Sequence, residues 1–161
     1  MVSDMDYSQK NTSKGNIFLI RRAEFVISST LILQEALNIA SKFAHDDQLL
    51  VAIREEEIAL ENFKDTFCDH SESTFKSGLE LCSQNINDSV FSTNHGESHL
   101  SKDEMISSWI AHKIKLYIIK LNKVSQEDNF PNNLIDDLSS EIARVKSKQE
   151  HFTKQRNEMA A

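Results

Sequence analysis

An all-α fold, a bundle of four to five antiparallel helices around a buried N-terminal helix, is what three features of the sequence predict. The first is residues 17–43, IFLIRRAEFVISSTLILQEALNIASKF, which contain neither Gly nor Pro and, between Ala23 and Ser41, no charge except Glu24 and Glu35. Apolar or small side chains occupy nearly the whole circumference of such a helix, and in a soluble chain it belongs inside a bundle. The second is the scarcity of turn formers: three Gly and one Pro in 161 residues, against an average usage of ~7% and ~5%. Few β-turns can be built from that composition. The third is a succession of downstream apolar stripes with a period of 3.6. With 39% hydrophobic and 27% charged residues, the chain fits one domain able to bury ~70% of its unfolded surface.

Residues 1–16 end in Lys14-Gly15-Asn16 and lack apolar periodicity, which predicts a flexible tail ahead of a single domain over 17–161. After the first helix, Asp46 or Asp47 can accept the first free N–H groups of a second one, and a negative charge suits that end of the dipole. The second helix, roughly 47–67, places Leu49, Ile53, Leu60, Phe63 and Phe67 on one side, with Ala52 and Ala59 beside them. Glu55, Glu57, Glu61 and Asp65 read as an acidic ridge on its other side, either a solvated face or a docking surface for a basic partner.

Residues 68–74, CDHSEST, read as a loop. Phe75, Leu79, Cys82, Ile86 and Val90 then form the narrow seam of a short third helix, with the Cys82 thiol toward the core. Ser92 to Ser98 is the next loop, and Ser101-Lys-Asp-Glu104 matches a capping box that opens a fourth helix over about 102–124. Its main stripe is Ile106, Ile110, Ile114, Tyr117, Leu121 and Val124, with Met105, Trp109, His112 and Leu116 beside it. KLYIIKL is rich in strand formers, but the run is too long and lacks flanking turns, so helix is favoured. Pro131 suits the start of the last helix. Ile135, Leu138, Ile142, Val145, Gln149, Phe152, Arg156 and Met159 then follow heptad spacing to the end. Polar Gln149 and Arg156 in that seam predict that the final two turns leave the bundle and offer Gln149, Phe152, Arg156 and Met159 to a partner.

Charge and motifs narrow the function. A net charge of −7 disfavours phosphate-backbone binding, which needs Lys and Arg, and the expected partner is another protein, basic if charged, rather than nucleic acid. Association of the chain with itself through the C-terminal helix is a further expectation. No run approaches the ~18 apolar residues of a membrane span, and no leader-like apolar core is evident, so the expected location is the cytoplasm. Lys113, Lys115, Lys120 and Lys123 near Trp109 and Tyr117 read as a solvated face, because the aromatics fall on apolar stripes. His112 reads as a hydrogen-bonded core histidine.

No nucleotide, serine-hydrolase or metalloprotease motif is present, and the chain lacks the Glu-x-x-His pairs of di-iron bundles. No cofactor is expected. Cys68, His70, Cys82, His95 and His99 cluster in sequence. They read as ordinary core and loop residues, as ligands for zinc, which accepts mixed Cys and His sets, or, in an oxidising compartment, as containing a Cys68–Cys82 disulfide. The spacing of Arg144 and His151 resembles the Arg-x(4-6)-His of HEPN ribonucleases, which are small all-α bundles. The likeness covers eight residues, and Val145 departs from the polar residue usual in that family. It implies a ribonuclease-like enzyme with Arg144 and His151 on one helical face, as an alternative to a non-enzymatic interaction domain such as an adaptor, regulator, secretion chaperone or toxin-neutralising partner.

Overall fold

Among the described residues the protein has four α-helices, α1 (Val2–Phe43), α2 (Asp47–Phe75), α3 (Asp103–Ser125) and α4 (Asn132–Ala160), with a 3-10 turn at Glu80–Ser83. The structure, a computed structural model, describes residues 2–83 and 102–160, and the side chains of 16–83 and 102–158. Among the described residues there is no strand, and no helix is long and apolar enough to cross a membrane. Around the bundle the order is α1, α2, α4, α3. The pairs α1/α2, α1/α3 and α3/α4 pack closely, whereas α2 and α4 touch least.

α1 is the enclosed rod that its composition predicts. From Ala23 to Ala44 only Phe25 and Lys42 are exposed, while Ile27, Leu33 and Leu37 are fully buried. Its backbone is helical from Val2 onward, through residues expected to form a tail. A single Gly15 costs ~1 kcal/mol relative to Ala and does not by itself break a helix. The turn to α2 is short and doubly capped. Asp46 accepts the amide of Leu49 at 2.9 Å, and the Asp103 carboxylate accepts the amides of His45 and Asp46 at 2.9 and 2.8 Å. That second contact fixes the start of α3 beside the end of α1, and the Arg22–Glu127 ion pair at 3.1 Å does the same at the other end, so the two helices run antiparallel.

Several boundaries differ from expectation. α2 continues through CDHSEST to Phe75, because Cys68, Ser71 and Phe75 extend the buried three-four register of Leu60, Lys64 and Phe67. Polar composition alone does not end a helix. The end comes at Lys76, which takes the left-handed conformation, φ 53°, just before Gly78. Of the predicted third helix, Phe75 belongs to α2, Leu79 immediately precedes the 3-10 turn, and Cys82 lies within it. Ile86, Val90 and the loop 92–98 lie outside the described residues. α3 begins at Asp103 after Lys102, which makes no side-chain cap. Ser101 of the expected capping box lies outside the described residues, and Asp103 spends its carboxylate on the α1–α2 turn instead.

Cys68 and Cys82 form a disulfide, with Cα atoms 5.9 Å apart. The expectation of a free core thiol at Cys82 is therefore corrected. The cross-link ties the 3-10 turn back to α2 and holds Leu79, Leu81 and Cys82 against the core beside α1. α4 starts just after Pro131, whose carbonyl accepts the amides of Leu134 and Ile135. Leu134, Leu138, Val145 and Phe152 are its buried apolar residues, together with Ile142.

The disulfide closes a loop with a sequence separation of 14, for which chain-entropy reasoning gives ~3 kcal/mol of stabilisation. The Cys68→Ala/Cys82→Ala variant is expected to lose about that amount in urea unfolding, and added reductant is expected to shift the native protein but not the variant. Equal midpoints for both proteins would remove the cross-link as a stabilising element.

Candidate functional site

Glu56 stands where α2 would ordinarily place an aliphatic residue. It lies three residues after Ile53 and four before Leu60 in the buried stripe, and none of it is exposed. A carboxylate in that position must be paired. Its partner is Arg144 of α4, whose Nη1 donates to Glu56 Oε2 at 2.8 Å. The same guanidinium makes a fork on Glu141, with Nε to Oε1 at 2.7 Å and Nη2 to Oε2 at 3.0 Å. Glu141 Oε2 also accepts from the buried Tyr117 hydroxyl at 2.9 Å. Because an ionised carboxylate can only accept, Tyr117 spends its one hydrogen there. Thr30 must then donate across the 3.1 Å contact to the Tyr117 oxygen, sharing its hydrogen with the Val26 carbonyl at 2.9 Å. One polar chain therefore joins α1, α3, α4 and α2.

Two carboxylates against one guanidinium leave this chain short of positive charge. Burial raises the Glu56 carboxyl above its usual value despite the hydrogen bond and charge of Arg144, and Glu56 Oε1 has no hydrogen-bond partner. Burial also works against the charge on Arg144, but the hydrogen bonds to Glu141 and Glu56 outweigh it and its pKa is raised. Burial, and then the charge of Glu141, holds the Tyr117 phenol well above its ordinary range.

The α2/α4 seam that this clamp bridges is otherwise open. Apart from Val51 and Phe63 the facing residues of α2 are small or polar, and those of α4 are polar, so few side chains can interdigitate. Two grooves result. One, of about 370 Å³, is lined by Ala59, Asn62, Phe63 and Thr66 of α2 and by Asp137, Ser140, Glu141 and Arg144 of α4. The other, of about 410 Å³, lies between Asp47, Gln48, Val51, Ala52 and Glu55 and the pair His151 and Gln155. Beyond the first groove, His70 Nδ1 meets Asp137 Oδ2 at 2.6 Å and Asn133 donates to Thr74 at 2.9 Å, which closes that end of the seam.

The residues singled out in the sequence are dispersed by this architecture. The acidic ridge is split: at ~100° per residue Glu55 falls on the flank opposite Glu57, whereas Glu57, Glu61 and Asp65 keep the i, i+4 spacing of one face. Glu55 lines the α4 groove, whereas Glu61 turns toward α1, accepting from Gln34 at 2.7 Å and pairing with Lys64 at 3.1 Å. Glu57 is half-buried, with its carboxyl raised by burial against the lowering charge of Arg54, and Asp65 is exposed. Phe152 is fully buried, and its carbonyl accepts from Ser107 at 2.6 Å, so it is a core residue rather than part of a partner surface. Gln149 is half-buried and Arg156 exposed, and the side chain of Met159 lies outside the described residues.

Arg144 and His151 do not converge. Arg144 is committed to two carboxylates, while His151 is exposed, edge-on to Phe152 at 5.9 Å, and lines the second groove. The disulfide removes Cys68 and Cys82 as thiolate ligands, His70 is taken up by Asp137, and His95 and His99 lie outside the described residues. Among the described residues no group of three His, Cys, Asp or Glu side chains could hold a metal ion. His112 is exposed rather than in the core. Glu56, Lys64 and Glu141 were missed as buried charges. The available signal for Glu56 was an apolar stripe with one acidic member at a seam position. The chain matches no protein-family model, no curated protein and no solved structure.

Arg144→Ala would strand two buried carboxylates and is expected to cost ~3–5 kcal/mol in unfolding free energy, read by denaturant titration. The Glu56→Gln variant isolates a pH dependence. The folded state binds the Glu56 proton more readily than the unfolded chain, so stability from this group falls as pH rises from 4.5 to the raised folded value and is level above it. The wild-type minus Glu56→Gln difference should fall with pH in that way, and a difference that is flat from about pH 4 to about pH 8 would reject it.

Proposed function

We propose that this protein is a non-enzymatic interaction domain that takes a basic amphipathic helix of another protein into the α2/α4 seam. The observation that supports this reading is the seam itself, the least packed of the four sides of the bundle, with grooves at both ends of the Glu56–Arg144 clamp. From Asp47 to Thr66 the α2 wall extends roughly 30 Å, enough for a helix of roughly 20 residues. Val51 and Ile58, 55% and 62% exposed, lie at or beside that wall and supply apolar contact. Asp47, Glu55 and Asp137 line the grooves, and the net charge of −7 speeds encounter with a cationic partner. Docking of a helix by its apolar face is a recurrent mode of recognition. The disulfide favours a compartment in which thiols stay oxidised, and this reading replaces the cytoplasmic expectation.

The test is a fluorescence titration with a synthetic 20-residue Leu/Lys amphipathic helix and with its Leu/Glu counterpart. Micromolar binding of the Lys peptide is expected, weakened about tenfold or more by Ala59→Trp, which fills the groove, and by Val51→Glu. Unfolding midpoints establish that both variants fold. Equal affinity in the folded variants, or equal affinity for the Glu peptide, would reject the seam as the site.

A further inference from the structure

α3 carries a second apolar stripe, and this one faces out of the bundle. Met105, Trp109, His112, Leu116, Ile119 and Lys123 recur at three-four spacing, so they share one helical face. Met105, Leu116 and Ile119 are 46%, 38% and 46% exposed, His112 and Lys123 are exposed, and Trp109 is half-buried. The ring of Trp109 lies under the Lys113 ammonium at 5.4 Å. From Met105 to Ser125 the helix contains four lysines, at 113, 115, 120 and 123, and no acidic residue, although the whole chain has a net charge of −7. Among the described residues no carboxylate forms an ion pair with any of the four. Burial, and then the charge of Lys113, lowers the pKa of Lys120.

We infer that this outer face of α3 is an interfacial site for an anionic membrane surface, with Trp109, Leu116, Ile119 and Met105 entering the headgroup boundary and the lysines meeting acidic lipid headgroups. Exposed aliphatic residues interleaved with unneutralised lysines are the pattern of helices that lie in the plane of a bilayer, and each cation near an anionic leaflet adds to the attraction. The long lysine stems can lie along the apolar surface while their ammonium groups stay at headgroup level. Nucleic acid fits less well. Tyr117, the other aromatic of α3, is buried in the polar chain, so little aromatic surface is open for base stacking, and phosphates give Met105, Leu116 and Ile119 nothing to contact. A second copy of the chain would set one cationic stripe against another if the contact were symmetric. The site lies on a different helix from the proposed protein groove and does not rest on it.

The full chain, sedimented with vesicles of phosphatidylcholine and of phosphatidylcholine with about 30% phosphatidylserine, tests the inference. Binding to the anionic vesicles, and its loss in about 0.5 M salt, are expected. The chain has one tryptophan, so a blue shift of its emission on binding reports entry of the α3 face itself. Leu116→Asp/Ile119→Asp and Lys115→Glu/Lys123→Glu should each weaken vesicle binding at least tenfold, with the helical circular dichroism and the unfolding midpoint checked against the native protein. Because these positions are exposed, both variants should fold, and if one does not, the tryptophan shift on the native chain still decides. The inference is overturned by no vesicle binding, by equal binding to neutral vesicles, by binding without a tryptophan shift, by folded variants that bind undiminished, or by affinity for an acidic peptide in place of vesicles.

Discussion

The ion pair between Glu56 and Arg144 is the contact on which the α2/α4 side of this bundle depends. Elsewhere the helices are joined by interdigitated aliphatic residues, and removing any one of these would leave its neighbours in contact. Across the α2/α4 seam polar contacts make the specific connection: Arg144, held by Glu141 of its own helix, reaches Glu56, and His70–Asp137 and Asn133–Thr74 join the two helices at one end. A buried pair of this kind is weak evidence for net stability, because desolvation offsets much of the Coulombic gain. What it does provide is register. The clamp fits only when α2 and α4 are aligned so that Glu56 faces Arg144, and the hydrogen bonds on to Tyr117 and Thr30 carry that alignment to α3 and α1.

The closed sides of the bundle follow from α1. A helix apolar around most of its circumference needs cover on every side, and α2 and α3 can cover only part of it. The segment after α2 supplies more, with Leu79 buried and Cys82 joined to Cys68. Over its described residues, 76–83, this segment has only a short 3-10 turn, which side-chain burial alone would hold weakly. The cross-link keeps it against the core, and the Asp103 carboxylate on the α1–α2 turn does comparable work at the other end of the helix pair.

The asymmetry of the molecule follows from these two arrangements. Its polar cluster is consumed in holding helices together. Two surfaces among the described residues differ in character. One is a seam with acidic residues in its grooves and small side chains on one wall. The other is the outer face of α3, where Met105, Leu116 and Ile119 lie between lysines.

Fold class was legible in the sequence, because it rests on properties each helix carries alone: the period of the apolar positions, the near absence of Gly and Pro, and the circumference of residues 17–43. The buried Ile27, Leu37, Leu49, Ile53, Ile114 and Leu138 could be assigned for the same reason. The candidate site could not, because each of its parts has an innocuous local reading. Glu56 lies in a run of three glutamates, Arg144 among basic residues, and Cys68 and Cys82 are separated by a polar stretch that looks like a loop. Phase along a helix is a local quantity, and the sequence by itself determined it. Which phase meets which across the bundle depends on how four helices share a common core, and only the tertiary structure decided that Glu56 meets Arg144, that Cys68 reaches Cys82, and that Phe152 faces inward while Leu116 faces out.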